Sequence, residues 1–476
     1  MKELNKATVS KPELPIKVLQ FGEGNFLRAF VDWMFHKANE AGVLNHGIAV
    51  VQPIAQGMAD MLNKQDCLYH VYLEGIKNKQ PIKEITLCKS IVKAINPYEE
   101  YNAYKEIFLS EDLEVIVSNT TEAGIRYEEG DSLDALPPKS YPAKITTLLY
   151  QRYKKFNGDK NKGLLIICCE LIEDNGSTLR KYVLEHAKYH KLEEDFISWV
   201  ETSCHFYDTL VDRIVPGFPK DTINEIKGEL GFDDNLVVKG EYFHVWAIGG
   251  DAIIKEKLPF DKAGLNVLFM DDIRPFRAKK VRILNGSHTA MVPVAMQLGC
   301  TTVKEAFDTP TVEKYINTMV ADEVLPMIKE DAAELKHFAE HILERFYNPF
   351  IKHYLKDISL NSLSKWEARD MPTVVDSYAS GKTAQKVIFS FAAMLVLYSG
   401  HSAIEFTPND TPEYVDFIKN TFDKNNIDTW VRGIITHPTM WISKALANNE
   451  DFINTTIFNV KNILENGMEL SLKSVI

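Results

Sequence analysis

The run Ile16-Lys-Val-Leu-Gln-Phe21 passes without a linker into Gly22-Glu23-Gly24-Asn25, and apolar Phe26, Phe30, Trp33, Met34 and Ala38 then follow at three- and four-residue spacing. A β-rich run, a glycine turn and a helical stretch closing at Gly42 form the opening of a βαβ unit, which commits the chain to a parallel sheet. Further β-rich runs at Gly47–Val51, Val115–Ser118 and residues 164–169 alternate with helical patterns. After about Asp271 the punctuation changes to helix starts such as Asp308-Thr309-Pro310 and Thr411-Pro412-Glu413, so the second half should be mostly helical. A chain of 476 residues is too long for one hydrophobic core. Two domains are expected, residues 1–270 and 271–476. The apolar run 387–398, broken only by Ser390, is too short to span a bilayer and reads as a buried helix. The stretch 422–428 reads as a turn.

The glycines after the first strand stand where a dinucleotide pyrophosphate needs close backbone approach and free N–H groups. Gly22, Gly24, Asn25, Phe26 and Arg28 are therefore candidate cofactor residues. Leu27 occupies the place of a third glycine, and a tight turn without any ligand is the plainer alternative. At the end of the second strand, where an acid would hold the ribose hydroxyls of NAD, stand Gln52 and Gln56. NAD and NADP are not separated by these residues. The polar loop Ser118-Asn-Thr-Thr121-Glu122-Ala-Gly124 follows the third strand at the edge where open α/β sheets bind ligands, which adds Ser118, Thr121 and Glu122.

The segment 274–288 carries Arg274, Arg277, Lys279, Lys280 and Arg282, five cations in nine positions of a chain whose net charge is -12. For Arg274 and Lys279 a solvated face is sufficient explanation. On a helix of about 100° per residue, however, Lys280, Asn285 and His288 share an arc of about 140°. Hydride delivery to a ketone leaves a developing alkoxide, which needs a proton donor and a neutral hydrogen-bond donor. Lys280 suits the first role and Asn285 the second, with His288 orienting the lysine or a substrate hydroxyl. Neighbouring cations and partial burial should lower the lysine pKa towards working pH.

The spacing K-x4-N-x2-H resembles the catalytic motif of the polyol-specific long-chain dehydrogenases, the mannitol dehydrogenase family. Similar to that family, in order, are residues 22–28, Gln65-Asp66-Cys67-Leu68-Tyr69, the loop 118–124, Asn175-Gly176 and Val211-Asp212-Arg213-Ile214-Val215-Pro216. The resemblance implies a Rossmann-type doubly wound α/β domain followed by a mostly α-helical domain. It also implies NAD as cofactor, chemistry without a metal, a lysine acid/base, and Asp212 and Arg213 near the substrate. Two departures stand out: Leu171 replaces a second oxyanion asparagine, and Arg277 replaces a glutamate three residues before the lysine. A lost acid and a gained cation favour a substrate carboxylate, to be met by Arg277 or Arg282. The expected reaction is NADH-dependent reduction of a keto sugar acid, with a fructuronate or mannitol-type reaction as the alternative.

Other classes fit less well. The acidic balance of 54 cations against 66 anions disfavours nucleic acid and anionic membrane as partners. The first residues lack a signal-peptide run, and six cysteines without a CxxC pair read as reduced thiols, so a cytoplasmic location is expected. Ser380-Gly-Lys-Thr383 ends like a P-loop but has Asp376 where the first glycine belongs. The pairs His186/His190 and His337/His341 lack a third metal ligand and read as surface helix histidines. A dinucleotide sensor without turnover or a metal-dependent lyase would be the competing functions. The oligomeric state is left open.

Overall fold

A computed structural model describes every residue except 79 and 121–123. The chain divides into two compact units, one of Met1–Gly75 with Pro81–Arg274 and one of Ile76–Gln80 with Pro275–Ile476.

The first unit is built on an eight-stranded sheet. Its strands are β1 (Ile16–Phe21), β2 (Gly47–Val51), β3 (Ile91–Ile95), β4 (Val115–Ser118), β5 (Leu165–Cys168), β6 (His205–Asp212), β7 (Val245–Gly249) and β8 (Val267–Met270). The order across the sheet is β8-β7-β6-β5-β4-β1-β2-β3, and only the β6–β7 pairing is antiparallel. Every residue of β2, β4, β5 and β7 is buried. That is why these segments read as continuous apolar runs, as in sheets covered on both faces. One face packs Trp33, Met34 and Phe35 with Trp246 and Phe260, and the other packs Leu148, Val183 and Phe196 from three long helices.

The chain runs from β1 outward through β2 to β3 and then returns to place β4 on the other side of β1. Their carboxyl ends therefore form the topological switch point where such sheets bind ligands. A separate three-stranded sheet of Tyr69–Lys77, Gln80–Cys88 and Val238–Glu241 has no counterpart in the sequence reading. The strand Gln80–Cys88 is half-exposed and carries charges, so its apolar period is weak.

The helix expected after Gly24 is two helices, Asn25–Ala29 and Val31–Glu40, interrupted at Phe30. Side chains capture the carbonyls at the break: Tyr69 Oη donates to Arg28 O and Arg213 Nη1 to Ala29 O. Those oxygens are diverted from the regular i to i+4 ladder, which is a recognised cause of a kink.

From Pro275 onward the regular elements among the described residues are all helices, apart from one isolated bridge, Thr302 to Tyr354. The centre is helix Gln385–Tyr398, buried all round from Val387 to its end, as a helix with no polar face must be. Pro310 and Pro412 open helices at the first turn, where a missing N–H costs nothing. No helix among the described residues is long and apolar enough to cross a membrane.

Candidate active site

At the switch point Gly22 leaves β1 with φ of +117°, and a Cβ there would lie 2.9 Å from the carbonyl oxygen of Asn119. Glycine is required at that position by the protein itself. Gly24 differs: its backbone is extended and a Cβ would meet nothing within 4 Å. The space beside Gly24 is thus open to a ligand, and the N–H groups of the following turn lie next to it, so the loop fits a dinucleotide pyrophosphate.

The side chains around these glycines mostly hold the loop. Arg28, expected to face the cofactor, is turned inward, 1 % exposed. Its Nε donates to Glu23 O (3.1 Å), Nη1 to Leu236 O (2.7 Å) and Nη2 to Asn25 Oδ1 (2.7 Å). A buried guanidinium must satisfy its donors within the protein, and Arg28 does so with these three acceptors. Asn25 is the acceptor in that set, and Phe26 stacks on Phe30 at 5.0 Å between ring centroids. Ser118 is fully buried and donates to Glu170 Oε2 (3.1 Å), while Glu170 Oε1 accepts from Thr120 N–H (3.0 Å) and Thr120 Oγ1 (2.9 Å). Glu170 braces the start of the loop after β4, and burial pushes its carboxyl up. Thr121 and Glu122 lie outside the described residues.

The resemblance placed Arg213 and Asp212 near the substrate. Arg213 is 5 % exposed, donates to Ala29 O, Phe243 O and Tyr242 O, and lies 4.2 Å over the Trp33 ring. It clamps three backbone carbonyls. Asp212 ends β6, also buried.

In the second unit, segment 274–297 is one continuous helical run in three parts. The helix Arg274–Lys280 passes into a π-helical turn, Val281–Asn285, and then into helix Gly286–Gln297. The Gly286 N–H bonds to Val281 O, five residues back. The regular 100° reading is corrected here, because a five-residue step brings position 285 back over position 280. K-x4-N is the spacing of that step. The Asn285 amide makes no hydrogen bond among the described residues, while Asn285 O accepts from Thr289 Oγ1 (3.0 Å). Lys280 is half-buried.

His288 is buried, its Nε2 has no partner, and its ring rests on Phe346 at 4.4 Å and meets His353 at 5.0 Å. Burial first, and then the neighbouring His353, Arg345, Arg369 and Lys280, hold it well below the ordinary histidine range, and burial lowers His353 as well. It is therefore a neutral imidazole set among cations. Arg369 Nη1 donates to Thr289 Oγ1 (3.1 Å), seating that guanidinium on the same helix. Beside it, Asp370 is buried with Oδ2 unpartnered, and burial pushes its carboxyl well up. A Cβ on Gly286 would lie 2.8 Å from Asp370 Oδ1, so the glycine permits this approach. Arg345, His353, Arg369 and Asp370 escaped the sequence reading, since no local pattern links them to Lys280.

The other cations of the cluster are engaged. Arg282 pairs with Asp376 at 2.7 Å, and exposed Arg274 pairs with Asp272. Lys279, read as a solvated face, is mostly covered: it pairs with Glu330 and lies over the rings of Phe276 and Phe338. Arg277 is half-buried, and Leu171 is 67 % exposed just beyond β5. His186 is also corrected, being fully buried against Tyr127 rather than on the surface. Among the described residues no three His, Cys, Asp or Glu groups stand together as a metal site. Five cysteines are buried and free, and Cys300 is half-buried.

Comparison with known proteins bears on both units. Residues 16–262 match the family model described as the mannitol dehydrogenase Rossmann domain, and residues 272–464 the one described as the mannitol dehydrogenase C-terminal domain. The chain is 42 % identical over 480 residues to an altronate oxidoreductase of Phocaeicola vulgatus, covering 100 % of both. It is 44 % identical over 431 residues to an altronate oxidoreductase of Bacillus subtilis, covering 90 % of this chain and 88 % of the relative. Among solved structures, D-sorbitol dehydrogenase in substrate-free form gives a TM-score of 0.84 at 17 % identity, covering 99 % of this chain and 100 % of that one. Pseudomonas fluorescens mannitol 2-dehydrogenase, a ternary complex with NAD and D-mannitol, gives 0.70 at 21 % identity over 99 % of each chain. At such identities the structures speak for the fold alone.

Proposed function

Because the chain belongs to the mannitol dehydrogenase family of NAD-dependent oxidoreductases, we propose that it interconverts D-tagaturonate and D-altronate with NADH and NAD. The observation that carries the choice of an acid substrate is the gathering of Lys280, Arg345 and Arg369 around the neutral His288. In a chain of net charge -12 such a local reversal suits a substrate carboxylate. The names of the relatives agree with that preference.

The bound cofactor supplies the hydride that the carbonyl carbon receives. As the carbonyl oxygen gains charge, the Asn285 amide donates a hydrogen bond to it and protonated Lys280 gives up its Nζ proton to it. In the oxidative direction neutral Lys280 takes the proton of the alcohol. Neutral His288 offers Nε2 to a substrate hydroxyl without adding charge beside the lysine. Arg369, seated on Thr289, and Arg345 would meet the carboxylate, a role for which the sequence offers Arg277 or Arg282.

The test is NADH oxidation with tagaturonate, fructuronate and uncharged fructose. Tagaturonate should give the highest kcat/KM. Arg369→Ala should raise its KM about tenfold or more, the weight of a hydrogen bond to a charged group, with little change for NADH. Arg282→Ala, already paired with Asp376, should do far less. Comparable rates on fructose would overturn the acid assignment.

A further inference from the structure

The sheet lacks an acid where NAD enzymes of this architecture hold the adenosine ribose. At the end of β2 stands Gln52, and its amide is taken up by its own loop. Its Nε2 donates to Ile54 O (3.1 Å) and Ala55 O (2.9 Å), and its Oε1 accepts from Ala59 N–H (3.3 Å). Gln56 is exposed and carries no charge.

A carboxylate reaches this place from the neighbouring strand end. Glu23 lies between Gly22 and Gly24, and its backbone is held by the bond from Arg28 Nε to its carbonyl. Its Oε1 accepts from Met58 N–H at 3.2 Å. A Cβ on Gly57 would lie 2.5 Å from that oxygen and 2.7 Å from the Gln52 amide carbon. The carboxylate therefore sits against loop 52–58, at the carboxyl end of β2. Its Oε2 accepts no hydrogen bond among the described residues. The residue is 8 % exposed, and burial pushes its carboxyl up, so an added pair of donors would relieve a desolvated charge.

We propose that Glu23 is the carboxylate that binds the vicinal hydroxyls of the adenosine ribose and thereby selects NAD over NADP. A carboxylate accepts two hydroxyls at once and repels a 2′-phosphate in the same place, so one group gives both attraction and exclusion. This rests on the reading that the cofactor pyrophosphate lies at Gly24.

Calorimetric titration of the full chain with ADP-ribose and with 2′-phospho-ADP-ribose tests it without turnover. Glu23→Gln keeps an acceptor for Met58 N–H, and its thermal unfolding should match the parent. It should bind ADP-ribose about tenfold more weakly, and the preference over the 2′-phosphate form should shrink by at least that factor. Glu23→Ala should do the same. An unchanged ratio in Glu23→Gln, or a ratio that moves instead with Asp60→Asn, the exposed acid in the first turn of helix Ala59–Lys64 that follows the loop, overturns the proposal. Gly24→Val separates the premise: if it leaves ADP-ribose binding intact, the dinucleotide is not at this loop. If it abolishes binding while Glu23→Gln keeps the ratio, Glu23 alone is wrong.

Discussion

Lys280 and His288 stand eight residues apart on one helical run yet differ in the charge they carry. His288 is kept neutral by burial and by surrounding cations, so it is a poor proton donor near neutral pH, in keeping with the proposed duty of the lysine. Removal of Lys280 should accordingly damage turnover more than binding. General acid catalysis supplies roughly 10²–10⁴-fold and one preorganised donor about 10²–10³-fold. We expect kcat to fall on the order of a thousandfold in Lys280→Ala and about a hundredfold in Asn285→Ala, with NADH affinity barely changed. The pH profile of oxidation should also lose its basic limb in Lys280→Ala, since that limb reports the group that takes the alcohol proton. Near-normal turnover with an unchanged profile would remove the lysine from the mechanism.

At the scale of elements, two interruptions in helices shape the site. The π-helical turn Val281–Asn285 lines up the two residues proposed to meet the carbonyl oxygen. The break at Phe30 frees Arg28 O and Ala29 O for Tyr69 and Arg213, which hold the short helix after the glycine turn. The two glycines of that turn should respond differently to the same substitution. Gly22→Val forces a β-branched residue to φ of +117° and against Asn119 O, so loss of stability should dominate, by roughly 1–3 kcal/mol or more. Gly24→Val is accommodated by its own backbone, and should leave the melting temperature near the parent while weakening NADH by at least tenfold. Thermal unfolding with NADH fluorescence titration reads both, and equal effects at the two positions would contradict the assignment.

The whole molecule carries a stability term of its own beneath the glycine turn. Asp32 is fully buried, bonded to Gln20 Nε2 at 3.3 Å with Oδ1 unpartnered, and burial raises its pKa to about 7. Below about pH 4 the group is protonated in both folded and unfolded chains. As pH rises the unfolded chain ionises first, so the stability of the folded state falls until the folded group titrates near 7. The stake is a few kcal/mol, at about 1.4 kcal/mol per unit of pKa difference. Asp32→Asn should remove this part of the pH dependence. Its melting temperature should fall less than the parent's between pH 5 and 7.5 in the transition of the sheet unit, and parallel curves would exclude Asp32 as the source.

The strands β1, β2 and β4, the glycine turn, the starts at Pro310 and Pro412 and the buried helix ending at Tyr398 were legible from sequence. Each follows from period, glycine or proline chemistry acting within a few residues. The spacing of Lys280, Asn285 and His288 was legible too, although the π turn that lines up the first two was not, because a single register change leaves no mark in composition. Tertiary structure alone decided which charges face inward. Arg28 and Arg213 read as ligands but satisfy buried carbonyls, while Glu23 bends to the neighbouring strand's loop. Arg345, His353 and Arg369 come near His288 from later segments, because packing of distant parts of the chain sets their direction and the local sequence does not.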